Sequence, residues 1–402
     1  MSQATAQKNT LPEGQHGIRA HSDGPVVPVQ TRSERPKSFN VADFTEVTGR
    51  EAVWKLSPVA EFTDLLTPGL DGSAFPYDVE GDAGITTAWI DRDHAIIGTG
   101  GTPEERASAN AWSGFEQALH IRVTGEEPQT TRITRHELGS TARAAHTVIE
   151  ATPHSNGVVI LENRGSARIT ENIEIVVGAG AQLTVITLQE WDDDAVHIAS
   201  HFGRIGRDAK LKHVAVTLGG KIVRVNPTAH LAESGADINA LGLYFADAGQ
   251  HLEQHVYVHH EAPHTVSNVN YKGALQGQGA RTVWIGDVLI GRDATGTDSY
   301  EQNRNLVLTD GTRADSIPNL EIETGDIAGA GHASATGRFD DEQLFYLQAR
   351  GISEEEARRL VVLGFLTEII QQIGVPELQA RLESALEEEL AGTSLAAIGA
   401  RS

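Results

Sequence analysis

Between residues 151 and 327 the chain consists mainly of short runs in which apolar, often β-branched, residues alternate with polar ones. Residues 183–188, 211–218 and 283–290 are clear examples. A period of two residues is typical of strands, because successive side chains point to opposite faces of a sheet. The pattern therefore predicts a region built from many short strands.

A turn signature repeats within this region. Gly180-Ala181-Gln182-Leu183, Asp208-Ala209-Lys210-Leu211 and Gly235-Ala236-Asp237-Ile238 begin 28 and then 27 positions apart. A repeat of this length indicates the coils of a β-solenoid, in which each coil buries its inward residues against its neighbours. The comparable turn at Gly279-Ala280-Arg281 falls out of step. Periodicity alone therefore leaves an antiparallel sandwich or jelly roll as the alternative.

Helical patterns flank the strand-rich region. Residues 40–66 are predicted to be partly helical, and residues 103–112 also have helical character. Near the C-terminal end, Asp340 with Gln343 and Ser353 with Glu356 have capping-box spacing, which predicts two consecutive helices. We expect the first to end at Arg350-Gly351 and the second to place these residues on its apolar face: Leu360, Val361, Phe365 and Ile369.

A third C-terminal helix is predicted to begin at Pro376, because proline suits the first turn of a helix. Its apolar residues recur every four positions and share one side: Leu378, Leu382, Leu386 and Leu390. Helices at both ends would cover the strand edges that a solenoid exposes, which otherwise invite aggregation.

Composition and charge narrow the functional classes. The formal net charge of −23 argues against nucleic-acid binding, which requires clustered Lys and Arg. No apolar run reaches the roughly 18 residues of a membrane-spanning helix. The first 37 residues are polar and lack the apolar stretch of a signal peptide. We therefore expect a disordered tail, a cytoplasmic location and no membrane partner.

Several motifs together resemble the SufB/SufD family, the scaffold subunits of the SUF iron–sulfur cluster assembly machinery. The stretch from Asp326 to Ile352 is similar to the C-terminal family signature. Upstream motifs follow in family order: His260-Glu261-Ala262-Pro263-His264-Thr265, Tyr271-Lys272-Gly273, Tyr300 to Leu306, Asp315 and Pro318 to Ile322. The resemblance covers roughly residues 160 to 372.

The resemblance implies a mainly β fold with a right-handed parallel β-helix (β-solenoid) core and helical segments at both ends. Four regions are expected: a disordered tail (1–37), an N-terminal mixed or helical region (38–110), the β-helix core (111–339) and a C-terminal helical domain (340–402).

The absence of cysteine distinguishes between the two family members. Family proteins often carry a cysteine two residues before the signature histidine, but Ala330 precedes His332 in this chain, which has no cysteine at all. A chain without thiols holds no persulfide and supplies no thiolate to iron. The resemblance is therefore closest to SufD, the partner subunit.

SufD-like function implies a non-catalytic scaffold that pairs with a SufB-like homologue and binds a SufC-like ATPase through the C-terminal helices. The chain itself has no phosphate-binding G-x-x-x-x-G-K-[ST] loop, so we do not expect it to hydrolyse ATP. We expect the ATPase contact to involve Asp340, Leu344, Phe345, Tyr346, Leu347, Arg350 and Phe365.

His332 is the principal candidate site residue. The resemblance places it beside the interface with the SufB-like homologue, where it implies that a cluster is assembled or iron is bound transiently. A neutral imidazole is a ligand for iron. We expect no cofactor to be held stably by this chain alone. A solely structural role for His332 at the strand-to-helix junction is the alternative.

Two other interpretations remain open at this stage. His251, His255, His259, His260 and His264 are crowded into fourteen positions, which is compatible with a cytosolic metal-binding module, although no carboxylate or thiolate completes a standard spacing. Parallel β-helices are also typical of carbohydrate-active enzymes, and Asp192-Asp193-Asp194 would be their candidate acids. Asn303, Arg304 and Asn305 are better explained by hydrogen bonding between coils.

Overall fold

Two nine-stranded sheets enclose the core, and from the third strand onward successive strands alternate between them. The computed structural model describes residues 35–338 and 341–392, and its large compact unit begins at Lys37. The predicted tail at residues 1–37 lies almost wholly outside the described residues, and so does Asp340.

Sheet I has the strand order β1-β4-β6-β8-β10-β12-β14-β16-β18. Its strands are β1 Asp78–Gly81, β4 Gln129–Arg135, β6 Asn156–Gly165, β8 Gln182–Trp191, β10 Lys210–Thr217, β12 Asp237–Ala246, β14 Val266–Leu275, β16 Thr297–Val307 and β18 Ile327–Arg338.

Sheet II has the order β17-β15-β13-β11-β9-β7-β5-β3-β2. Its strands are β2 Ile85–Asp91, β3 Gln117–Val123, β5 Arg143–Ala151, β7 Arg168–Val177, β9 Val196–Ile205, β11 Ile222–Leu231, β13 His251–His260, β15 Arg281–Ile290 and β17 Arg313–Ile322.

The strands form a parallel β-solenoid of about 8 turns, which confirms the predicted fold class and rules out the sandwich. Only the first pair in each sheet, β1 with β4 and β2 with β3, is antiparallel. Each predicted repeat corresponds to one coil. Equivalent positions of successive repeats pair in register, since Leu211 pairs with Leu183 on one side and with Ile238 on the other.

The turn at residues 279–281 falls out of step because it belongs to a different corner. Arg281 begins β15 and pairs with His251 in sheet II, whereas the three repeating turns lead into sheet I. Those turns place left-handed backbone at one corner of successive coils, with φ of +67° at Gly180, +52° at Asp208 and +76° at Gly235. Glycine and aspartate accept this conformation at low cost.

The inward side chains of both sheets form one continuous apolar core. Leu183, Leu211 and Ile238 stack along the coil axis and are nearly inaccessible to solvent. Because each coil buries its apolar residues against its neighbours, no single coil is stable by itself.

The N-terminal segment covers the outer face of sheet II. The partly helical stretch predicted at residues 40–66 consists of short 3-10 turns, the helical ones being Val41–Asp43, Val59–Glu61 and Thr63–Leu66. The predicted helix near residue 103 is confirmed as α1, Arg106–Gly114. Glycine and proline within residues 40–66 explain why no α-helix forms there. Apolar residues of the segment pack on those of sheet II: Trp54, Phe62, Leu65 and Ala107 on Val196, Ile198 and Ile222.

Three C-terminal helices follow the solenoid, as predicted: α2 Asp341–Gln348, α3 Glu354–Ile373 and α4 Pro376–Gly392. Ser353 caps α3, its Oγ accepting from the Glu356 N–H at 3.3 Å, and Gly351 has the left-handed φ of +87° expected after α2. No helix of the described residues is long and apolar enough to cross a membrane.

The outer face of sheet I is covered by α3 and α4, so the flanking helices cover sheet faces and not the strand edges that they were predicted to cover. The four predicted leucines of α4 are all buried, whereas the predicted face of α3 is partly wrong, since Leu360 is exposed. The helix packs on the sheet mainly through its C-terminal half. Its buried residues there and just before are Val362, Leu366, Ile369, Ile370 and Ile373.

Candidate functional site at the end of the solenoid

His332 lies on β18, the edge strand of sheet I. It pairs in register with Glu301 of β16, and its Nδ1 is 3.7 Å from Glu301 Oε1. The His332 side chain is 44% exposed, whereas that of Glu301 is 1% exposed. An accessible imidazole therefore lies directly over a buried carboxyl group.

The exposure of His332 follows from its position at the end of a stack. Residues that pair in register on parallel strands face the same way, and Glu301 faces the interior. The inward column ends in two consecutive polar residues, and its members in order are Thr131, Val159, Val185, His213, Ala240, Val269, Glu301 and His332. Within the described part of the chain no further strand of sheet I stacks on β18.

The Glu301 carboxyl is electrostatically unusual. Burial, and to a smaller extent the neighbouring charge of Asp287, raises the pKa of Glu301 to about 8 from 4.5. Neither of its oxygens has a hydrogen-bond partner among the residues described. A buried polar group without a partner is costly, so this carboxyl is largely protonated at neutral pH and can exchange its proton for another ligand.

Sheet II supplies the rest of the pocket around this carboxyl. Gly286 leaves room for it, because a Cβ at that position would lie 2.4 Å from Glu301 Oε2 and 2.3 Å from the Trp284 ring. Asp287 accepts from Asn319 Nδ2 at 2.8 Å. This end of the solenoid therefore brings carboxyl, amide and imidazole groups close together.

The neighbouring amides are structural, in agreement with the sequence interpretation. Asn303 and Asn305 are buried, and Asn303 Nδ2 donates to the Tyr244 hydroxyl at 2.8 Å, which in turn donates to Asn305 Oδ1 at 2.7 Å. These bonds link β12 to β16, two coils further along, so the amides hold the last coils together.

The surface predicted to bind an ATPase is divided between two helices. On α2, Phe345 is 72% and Tyr346 55% exposed, and the Arg350 guanidinium lies over the Tyr346 ring at 4.2 Å. Leu347 is half-buried, and the Leu344 side chain lies outside the described residues. Large exposed apolar side chains on one short helix are unusual unless a partner covers them.

Phe365 instead packs within the chain. Its ring lies 4.7 Å from Lys272 Nζ, and Lys272 is buried on the outer face of β14. Lys272 Nζ also donates to the Phe365 carbonyl at 3.1 Å and to Glu368 at 2.6 Å. The lysine thus attaches α3 to the solenoid.

The histidines of residues 251–264 form separate groups, and not one cluster. His251 and His255 both contact the buried Glu253, which also accepts from Arg224. His260 is buried and bonded to Thr265 and Ser267. His264 occupies a corner with φ of +57°. The five histidines therefore do not converge on one metal site, and His255 and His259 in particular contact different carboxylates, Glu253 and Glu261.

One group that sequence reasoning missed brings together His230, His259 and Glu261. His230 Nδ1 and His259 Nδ1 lie 2.6 Å and 3.2 Å from the same oxygen, Glu261 Oε1. The missing signal was the register: His230 pairs directly with His259 on the next coil, 29 positions later. Standard ligand spacing did not reveal this group, because one of its three residues comes from the preceding coil.

The carboxylates suggested for a carbohydrate-active enzyme lie in an exposed turn. Asp194 accepts from the Ser166 hydroxyl at 2.7 Å, and Asp193 accepts from Gln250 Nε2 at 3.0 Å. Hydrogen-bonded, exposed carboxylates of this kind are typical of a solvated turn, so nothing in their geometry favours glycoside hydrolysis.

Comparison with known proteins agrees with this architecture. The family model described as "SUF system FeS cluster assembly, SufBD core domain" matches residues 132–365, which span most of the solenoid and the first half of α3.

Individual relatives extend the match over most of the chain. An iron-sulfur cluster assembly SufBD family protein of Mycobacterium leprae is 47% identical over 367 residues, covering 88% of this chain and 93% of the relative. One of Mycobacterium tuberculosis is 47% identical over 368 residues, covering 88% and 91%. A more distant one of Staphylococcus epidermidis is 28% identical over 221 residues, covering 55% of this chain and 47% of the relative.

Proposed function

Since this chain belongs to the SufBD family of iron–sulfur cluster assembly proteins, we propose that it is the SufD-like, non-catalytic scaffold subunit of a cytoplasmic SufBCD-type complex. The observation that carries the proposal is a SufBD core in a chain with no cysteine. Sulfur transfer and thiolate ligation both need cysteine, so those roles fall to a SufB-like homologue.

The open end of the solenoid is the proposed contact with that homologue. Strands β17 and β18 are the edge strands there, and exposed edges are suited to pairing with another chain. A homologue stacked on this edge would continue both sheets. It would also enclose His332 and Glu301 at the interface, where water is excluded.

Iron or a nascent cluster is the proposed cargo at this interface, bound transiently. His332 would offer its imidazole as a ligand, and Glu301 would offer a carboxylate once its proton leaves. The SufB-like partner would supply the thiolates. Because the carboxyl is largely protonated in the free subunit, binding of a cation at this end would release a proton.

The test is cluster assembly in cells that depend on this system. We expect His332→Ala to lower the activity of an iron–sulfur reporter enzyme by about 10- to 100-fold, the cost of losing a metal-site partner. The complex recovered by affinity purification should be unchanged. His136→Ala is the matched control. His136 is exposed and directly follows β4, near the end of sheet I that lies opposite β18. Full reporter activity with His332→Ala in an intact complex would refute the role of His332.

The SufC-like ATPase is proposed to bind α2. The exposed pair Phe345 and Tyr346 carries this proposal, because an amphipathic helix laid in a partner's groove uses such anchors. Removing all three C-terminal helices is a poor test, since α3 and α4 cover sheet I and their loss would expose its apolar face. Substitutions confined to α2 avoid this problem.

We expect Phe345→Ser with Tyr346→Ser to abolish copurification of the ATPase while leaving the thermal stability of the isolated chain unchanged. Val79→Ser, at another exposed apolar residue, is the control and should retain the ATPase. Undiminished ATPase recovery with the double variant would place the contact elsewhere.

A further inference from the structure

We propose that His230, His259 and Glu261 form a binding site for one divalent transition-metal ion of the zinc or ferrous class, on the outer surface of the solenoid. This site is separate from His332. Strand β15 lies between β13, which carries His259, and the edge strand β17, and His332 belongs to the other sheet.

The convergence of donor atoms is the main argument. Two imidazole nitrogens from neighbouring coils are directed at one carboxylate oxygen, and the three ligand atoms all lie within 4.8 Å of one another. In tetrahedral zinc sites with bonds of about 2.0 to 2.2 Å, ligand atoms lie about 3.3 to 3.5 Å apart. Small side-chain rotations would therefore widen the observed separations of 2.6 and 3.2 Å to those of a zinc site.

The donor set matches the metal class. Two histidines and one carboxylate bind zinc with an open fourth position in hydrolytic enzymes, and bind ferrous iron in oxygenases. The calcium and magnesium ions prefer all-oxygen sites, so this set discriminates against them. An open position follows from the exposure of the side chains, 11% for His230, 25% for His259 and 32% for Glu261.

The Glu261 carboxylate is available to a cation. Its ion-pair partners are the two histidines of the site. Among the described residues, no Lys or Arg forms an ion pair with this carboxylate. The nearest register neighbours are Arg204, exposed on the coil before His230, and Leu289, buried on the coil after His259.

The coil architecture gives the site rigidity. His230 and His259 are in-register residues of β11 and β13, and Tyr257 packs beside both rings at centroid distances of 6.3 and 6.1 Å. Ligands on adjacent strands of a solenoid keep their spacing. Metal binding therefore loses little conformational entropy by ordering them. An ion here would also bridge two coils and stabilise the folded chain.

The test uses the full chain without a histidine tag, stripped with a chelator and then titrated with Co²⁺ and with Zn²⁺. We expect about one tight equivalent, Co²⁺ visible absorption typical of low coordination number, and a rise in Tm with Zn²⁺. Glu261→Gln keeps an oxygen that accepts a hydrogen bond but removes the charge. It should weaken binding by more than about 10-fold, the minimum cost for a metal-site partner.

One control separates this site from the other histidines of the chain. His136→Ala removes one exposed histidine that contacts a single carboxylate, Asp78, at 2.8 Å, and should bind metal like the wild type. The proposal is overturned if the wild type binds no tight equivalent, or if Glu261→Gln and His259→Ala retain wild-type affinity. Loss of the tight equivalent on His136→Ala would overturn it as well.

Discussion

At the scale of single residues, the most consequential group is a buried carboxyl whose oxygens lack a hydrogen-bond partner. Glu301 lies beside Asp287 and is 3.7 Å from His332 Nδ1. Other buried acids among the described residues accept hydrogen bonds, as Glu171 does from Arg135 at 2.8 Å. A folded protein tolerates an unpaired buried acid at the cost of stability, so its presence at the proposed interface is consistent with a functional role.

This carboxyl makes stability depend on pH in a defined direction. The pKa of Glu301 is about 8 in the folded chain and 4.5 ordinarily, so between these values the folded state keeps a proton that the unfolded chain has released. Its contribution to stability is present below pH 4.5 and is lost as pH rises through 8, at up to about 1.4 kcal/mol per pH unit.

We therefore expect Glu301→Gln to raise Tm relative to wild type at pH 8, with the difference shrinking or reversing at pH 5. Asp298→Asn, at an exposed position of the same strand, is the control and should show no such trend. The measurement is a series of thermal melts across this pH range. Parallel curves for wild type and Glu301→Gln would contradict the shifted pKa.

At the scale of elements, adjacent strands fit one another through complementary large and small residues. On β12 and β14, Gly242 pairs with Tyr271 and Tyr244 pairs with Gly273. A Cβ on Gly242 would lie 1.9 Å from the Tyr271 ring, and one on Gly273 would lie 1.8 Å from the Tyr244 ring. Each tyrosine thus occupies the space left by a glycine on the next coil, which fixes both rings inside the core.

We expect Gly273→Ala to destabilise the chain by about 1 to 3 kcal/mol or more, because the added methyl group displaces the Tyr244 ring and its bonds to Asn303 and Asn305. Gly364→Ala, in α3, is the control. Nothing lies within 4 Å of its Cβ, and it should raise stability slightly through helix propensity. Denaturant midpoints measure both. Equal midpoints for Gly273→Ala and wild type would show that the ring is free to move.

At the scale of the whole molecule, each sheet of the solenoid is covered on its outer face by a different part of the chain. The N-terminal segment with α1 covers sheet II, and α3 with α4 covers sheet I. Each fully buried leucine or isoleucine of these contacts contributes about 1.5 to 3 kcal/mol. Partly buried polar contacts add to the attachment of α3: Lys272 to Glu368, and Lys212 to the Gln372 carbonyl at 3.0 Å.

We expect Lys272→Met to loosen this attachment, with a loss of about 1 to 3 kcal/mol, since the lysine donates to two acceptors from a buried position. Hydrogen exchange should increase in α3 and not in β14. Lys210→Met, at an exposed lysine of sheet I, is the control. Unchanged exchange in α3 would mean that apolar contacts alone hold the helix.

The helices, the strands and the coil repeat of this protein could be predicted from its sequence alone. Period-two runs, the 28- and 27-residue spacing and the capping residues depend on neighbours in the chain, and the structure confirms the solenoid, α1, the Ser353 cap and the leucine face of α4. The buried face of α3 was predicted only in part, because helical spacing does not reveal which stretch of an apolar helix meets a sheet.

The contacts between side chains of neighbouring coils could be identified only from the folded structure. Glu301 under His332, His259 beside His230 and Tyr244 over Gly273 are all contacts between residues about one coil apart. The coil length varies along the chain, with 27 residues between Lys210 and Asp237 but 32 between Val266 and Asp298. Because a shift of one position turns a side chain to the other face, these meetings depend on the exact register, which the pairing of the folded strands sets.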